Sequence, residues 1–188
     1  MTIKTDYSRF DIHDELTAPE GSLKILKGIQ TAGAEVTKFI GVLAGAPAAL
    51  RAFARMRHEL REGTLPRRTR ERIALAVAER RGDTYSVAQH ARTARAAGLG
   101  LDEISRARSF TSGDAKEAAL LAFLEALLSS AERPGAHLGE EAREAGWSDE
   151  EILEAVAHLA LAEFQTLISN AAALPQDQID PSILPEAA

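Results

Sequence analysis

ERIALAVAERRGDTYSVAQH, residues 71–90, carries the pattern around which the rest of the chain is organised. Its first half is an Ala/Val/Leu/Ile helical segment that carries Glu71 and runs into Arg81-Gly82. Gly82 supplies a C-terminal stop, and Asp83 follows at once as an N-cap for a second helix. On that helix Asp83, Ser86 and His90 stand at i, i+3 and i+7, so they fall in one stripe with Ser86 and His90 as direct neighbours. The geometry predicts two helices joined by a sharp corner, with four polar groups gathered on it. A return in the antiparallel sense puts Glu71 and His90 on adjacent levels, within hydrogen-bonding reach directly or through one water, beside a cavity partly lined by Tyr85.

Outward from the hairpin, the same helical periodicity continues in both directions. Leu23, Leu26, Ile29, Val36, Ile40 and Leu43 predict two short helices between Ser22 and Gly45, broken at Ala32-Gly33-Ala34. Pro47 opens a helix to about Arg61, and a helix from Pro66 to Arg81 buries Ile73, Leu75, Ala76 and Val77. The second hairpin helix runs from Thr84 to Ala97. A short helix over 101–110 follows, then one from the Asp114 cap to about Ser130, whose Leu120, Leu121, Phe123, Leu124, Leu127 and Leu128 cover too wide an arc for an exposed helix. An amphipathic helix spans 138–145. Ser148, with Glu151 at capping-box spacing, opens the longest helix, to about Ala173. Residues 1–20 read as a disordered arm or a strap across a neighbouring subunit, and Pro175, Pro181 and Pro185 mark an irregular tail. The fold class is all-α and single-domain.

Composition sets the outer limits. The chain has 188 residues, a net charge of −6 and no cysteine. The charge argues against sequence-independent nucleic-acid binding, and Arg67, Arg68, Arg70, Arg72, Arg80 and Arg81 read as a solvated or subunit-facing stripe. The missing thiol excludes disulfides, thiolate metal sites and cysteine nucleophiles. No uninterrupted apolar run approaches the roughly 20 residues of a membrane span, and no apolar signal core opens the chain, which predicts a cytoplasmic protein.

Glu71, Asp83, Ser86 and His90 occupy the four spacings of Glu-x11-Cys-x2-Cys-x3-His, the pattern of the peroxidase branch of the carboxymuconolactone decarboxylase and alkylhydroperoxidase D-like superfamily, which this chain resembles. The segments LPRRTRE at 65–71, AAGL at 96–99 and AGWSDEEI at 145–152 add to the resemblance. It implies an arm and short helix over 1–34, a domain over 35–178, and a tail over 179–188. It also implies a homo-oligomer, trimer or hexamer, with no metal and no cofactor. In the peroxidase branch the glutamate and histidine form a proton relay that activates the cysteine pair. Here Asp83 and Ser86 replace both thiols, so thiol peroxidase activity is not expected, even though a family-level name would mention peroxidase.

The candidate catalytic residues are therefore Glu71, Asp83, Ser86 and His90, with Tyr85 as a candidate substrate contact. Asp83 is most simply an N-cap worth about 1 kcal/mol; its chemical role, if any, is to orient His90. Ser86 fills a cysteine-sized space, and no nucleophile-elbow motif supports it as a nucleophile. Glu71, Asp83 and His90 could form a hard metal-ligand set, an arrangement the resemblance does not imply. Glu154 and His158 read as a structural surface pair. Two functions remain. One is cofactor-free acid/base chemistry on a small organic acid or lactone, decarboxylase-like or lactone-processing, through His90 and Glu71. The other is a non-catalytic oligomeric binding or scaffold protein that kept the fold. A polar pocket around His90 favours the first; a pocket filled by Tyr85, Phe or Leu side chains favours the second.

Overall fold

The structure is a computed structural model that describes residues 8–129 and 133–175. Among the described residues its regular secondary structure is all α-helix, with no strand. In chain order α1 spans Glu20–Thr31, α2 Lys38–Ala44, α3 Pro47–Arg61, α4 Arg67–Arg80, α5 Thr84–Ala96, α6 Leu101–Ala107, α7 Ala115–Ser129, α8 Ala136–Glu144 and α9 Asp149–Ala172.

Helix α4 is the hub, packed along α5 on one side and α9 on another, with α6 also against it. Its burial follows from its sequence, because Ile73 through Ala78 present no large polar side chain. Ile73 and Val77 enter a core with Leu120, Leu121, Leu124, Trp147 and Ile152. Leu75, two residues from each and so on the opposite side of α4, enters a separate cluster with Ala94, Leu99 and Ile104. A third cluster joins α2 and α3 to α5 and α9 through Phe39, Leu43, Leu50, Phe53, Tyr85 and Leu161. Each fully buried leucine or isoleucine contributes about 1.5–3 kcal/mol relative to exposure.

Local caps fix where these helices start and stop. The capping box at the head of α9 is present in both directions, Ser148 Oγ accepting from Glu151 N and Glu151 Oε2 accepting from Ser148 N. Gly82 takes φ 64°, a left-handed turn that lets α5 begin immediately after α4. Helix α6 ends earlier than the sequence suggests, because Phe110 adopts φ 53° and turns its ring into the core, 4% exposed.

Three other expectations change. The N-terminal arm, where described, straps its own subunit: Arg9 N donates to Ala172 O at 2.7 Å and His13 N to Gly41 O at 3.0 Å. The strap passes so close to α2 that a Cβ at residue 41 would lie 2.6 Å from Ile12 Cγ2. The arginine stripe is not one solvated face. Arg72 is buried and pairs with Glu103 at 2.9 Å and Glu117 at 3.3 Å; Arg81 pairs with Glu163, and Arg67 and Arg70 line a cleft. Finally, α9 is long and apolar enough to cross a membrane by length and composition, yet here it packs against α3, α4, α5 and α7. The tail at 179–188, with Pro181 and Pro185, lies outside the described residues.

Candidate active site

Glu71 sits in the second turn of α4 and His90 in the second turn of α5, so the reversal at Gly82 brings them level. His90 Nδ1 lies 3.0 Å from Glu71 Oε2. A carboxylate only accepts, so Nδ1 carries the proton and Nε2 is left as the free ring nitrogen. Thr93, one helical turn after His90, donates its hydroxyl to the same Glu71 oxygen at 2.6 Å. Burial alone would raise the Glu71 carboxyl, but the His90 and Thr93 hydrogen bonds, with the charges of His90 and Arg67, outweigh it and hold the group below its ordinary value. The side chains of Glu71 and His90 are 15% and 21% exposed, so the couple is shielded without being sealed.

It opens on a cleft of about 530 Å³ between α2, α3, α4, α5 and α9. One wall is apolar, with Phe39, Ile40, Phe53 and Leu161. The other carries Arg57, Arg61, Arg67 and Arg70, set against Glu62 and Glu71 as the acids of the lining. Arg57 has no hydrogen-bonded or ion-paired partner among the described residues. Water reaches its side chain, yet protein rings it, and that surrounding, with Arg61 beside it, pulls its guanidinium below the ordinary value. Arg70 is held in place by donating to Leu60 O at 3.2 Å and Arg61 O at 3.1 Å.

The remaining sequence candidates separate. Ser86 and Tyr85 line the cleft, both buried. No hydrogen bond joins Ser86 Oγ to His90 among the described residues. The Tyr85 hydroxyl accepts from Phe39 N at 3.5 Å and Gln89 Nε2 at 3.4 Å, fixing the ring between α2 and α5. Asp83 is 2% exposed and turns away from the couple: its Oδ1 accepts from Ser86 N at 3.0 Å and from Ser169 Oγ at 2.8 Å, and its Oδ2 has no partner. Orienting His90 is thus done by Glu71. Glu71, Asp83 and His90 are not assembled as a ligand set, and no group of three His, Asp or Glu side chains among the described residues is placed to hold a metal.

Two features escaped the sequence. Thr93 stands three residues after His90 on the same face, a spacing that could have flagged it. His158 and Glu154 do not spend their hydrogen bonds on each other: Glu154 accepts from Thr64 N and Leu65 N at 3.0 and 2.8 Å, while His158 Nε2 lies 3.3 Å from Leu60 O and its ring lines the cleft.

The fold is that of the alkylhydroperoxidase D-like class, in a chain without its thiols. The structure is similar to the alkylhydroperoxidase AhpD core of an uncharacterized peroxidase-related protein from Ralstonia eutropha JMP134, with TM-score 0.79 and 20% identity over 93% of this chain and 94% of that one. An uncharacterized peroxidase-related protein from Silicibacter sp. TM1040 is similar at TM-score 0.78 and 19% identity, over 95% of this chain and 96% of that one. Residues 47–126, from α3 through most of α7, match the model of the Carboxymuconolactone decarboxylase family. No curated protein matches the sequence.

Proposed function

We propose that this protein is a cofactor-free acid/base enzyme acting on a small organic acid or lactone, with His90 as the proton-transfer group and Glu71 as its orienting partner. The observation that carries the reading is the 3.0 Å His90–Glu71 hydrogen bond at the mouth of an arginine-lined cleft. Glu71 fixes the imidazole tautomer, leaves Nε2 free to take a proton, and stabilises the imidazolium that results. Four arginines against two glutamates make the lining positive with both histidines neutral, in a chain whose net charge is −6. Such a lining favours an anion, and planar guanidinium groups suit a carboxylate.

A cleft filled by Tyr85, Phe or Leu side chains would favour the scaffold alternative, whereas these residues form one wall and leave the space open. Thiol-based peroxide reduction has no nucleophile, because the chain contains no cysteine. The proposal includes a homo-oligomeric assembly in the cytoplasm. A panel of lactone acids and unsaturated or 2-oxo acids, incubated with metal-free protein and followed by NMR for CO2 loss or ring opening, tests it. Turnover that falls at least about 100-fold in His90→Ala supports the reading. Hydroperoxide reduction with dihydrolipoamide or a thioredoxin-type donor, above blank and lost in the same variant, would sink it.

A further inference from the structure

We propose that His158 is a second proton-transfer residue of this cleft, acting from the α9 wall on a substrate that His90 and Glu71 engage from the α4–α5 hairpin. The inference rests on the acid/base reading above and extends it to a residue on a different element, outside the Glu71-to-His90 hairpin.

Its ring lines the same cleft as His90. The Nε2 contact is with a backbone carbonyl, Leu60 O, which can only accept, so Nε2 must be the protonated nitrogen of the neutral ring. Nδ1 is then a bare lone pair, and no hydrogen bond engages it among the described residues. This is the mirror of His90, whose Nδ1 is protonated by its contact with Glu71 and whose Nε2 is free. One cleft thus presents two imidazoles with opposite ring nitrogens committed to the protein, each with one basic nitrogen left over.

The charges around His158 are Arg57 and Arg61 on α3, Arg70 and Glu71 on α4, His90 on α5 and Glu154 on its own helix. Burial and Arg70 keep it below its ordinary 6.5, against the opposing pull of Leu60 O, Glu154 and Glu71. It is therefore neutral and able to accept a proton near pH 7. In the step assigned to it, a C–H or O–H bond of the substrate breaks, the electron pair stays on the substrate, and the proton rests on Nδ1 until solvent or the product removes it. A carboxylate bound among the arginines makes the imidazolium cheaper to form, so ligand binding and protonation of His158 are linked.

Histidine-selective 15N NMR of the full chain tests this, titrated in pH with and without benzoate as the probe anion. His90→Gln and His158→Gln assign the two signals. Should His158→Gln fail to fold, replacing His13 together with the exposed His58 and His137 assigns it by elimination. The expected result is a neutral Nε2–H form for His158 and a benzoate-induced rise of roughly one pH unit in its midpoint, retained in His90→Gln. Benzoate raising the His90 midpoint alone makes His158 a structural residue and overturns the inference while the acid/base reading stands. A rise at neither histidine overturns both, and a neutral Nδ1–H form at His158 overturns the inference by itself.

Discussion

Glu71 Oε2 accepts two hydrogen bonds, from His90 Nδ1 and Thr93 Oγ1, while Arg67 adds charge from one turn back. Its folded pKa lies below the ordinary 4.5, so the carboxylate contributes stability that is complete above that value and is lost as pH falls through the lower folded one. The stability gap between wild type and Glu71→Gln should shrink as pH falls below about 4, relative to its size at about pH 5, as read by denaturant melts. A gap that instead widens below about pH 4 would contradict the assignment. Thr93→Val removes one of the forces holding that pKa down, so the Glu71 carboxyl should titrate closer to its ordinary value, with about 1 kcal/mol of stability lost. Carbon-13 titration of the carboxyl reads the first effect and denaturant melts the second.

At the scale of elements, the corner at Gly82 and the crossing at Gly41 are where backbone geometry leaves least freedom. Gly82→Ala forces a Cβ into φ 64° and should cost about 1 kcal/mol. Gly41→Ala places a Cβ 2.9 Å from His13 O, so the strap must lift, and limited proteolysis should cut near residues 8–13 faster than in wild type. Unchanged cleavage would show that the strap does not depend on that close approach. These elements were unequally legible in the sequence. Helix α3 was readable because Pro47 sets its first turn and Gly63 follows its last, and the α4–α5 hairpin because Gly82 and Asp83 signal stop and start in succession. The burial of Arg72 was not, since an arginine reads as solvated until its partner, Glu103, 31 residues away in sequence, is folded against it. His158 was hidden for the same reason, its contact being 98 residues distant. The strap was hidden because the bonds from Arg9 N to Ala172 O and from His13 N to Gly41 O run backbone to backbone, and these leave no mark on side-chain pattern.

For the molecule as a whole, α7 and α9 leave an apolar face formed by Leu127, Leu128, Val156, Phe164 and Leu167, with Leu167 62% exposed. Light scattering after size exclusion should report a homo-oligomer, and Leu167→Glu should shift it toward the 20.2 kDa protomer. A monodisperse protomer at micromolar concentration in the wild type would contradict that assembly. Under the proposed function, His90 and Glu71 act as a unit across the central hairpin. Residues that act as a unit lose their contribution together, so their single and double variants are not additive. The decisive measurement is kcat/KM, on whichever acid or lactone the panel identifies, for wild type, Glu71→Gln, His90→Gln and the double variant. The expected result is that each single variant falls by about 100-fold or more and that the double falls no further than the worse single. Losses that multiply in the double variant, or a His90→Gln protein as active as wild type, would contradict it.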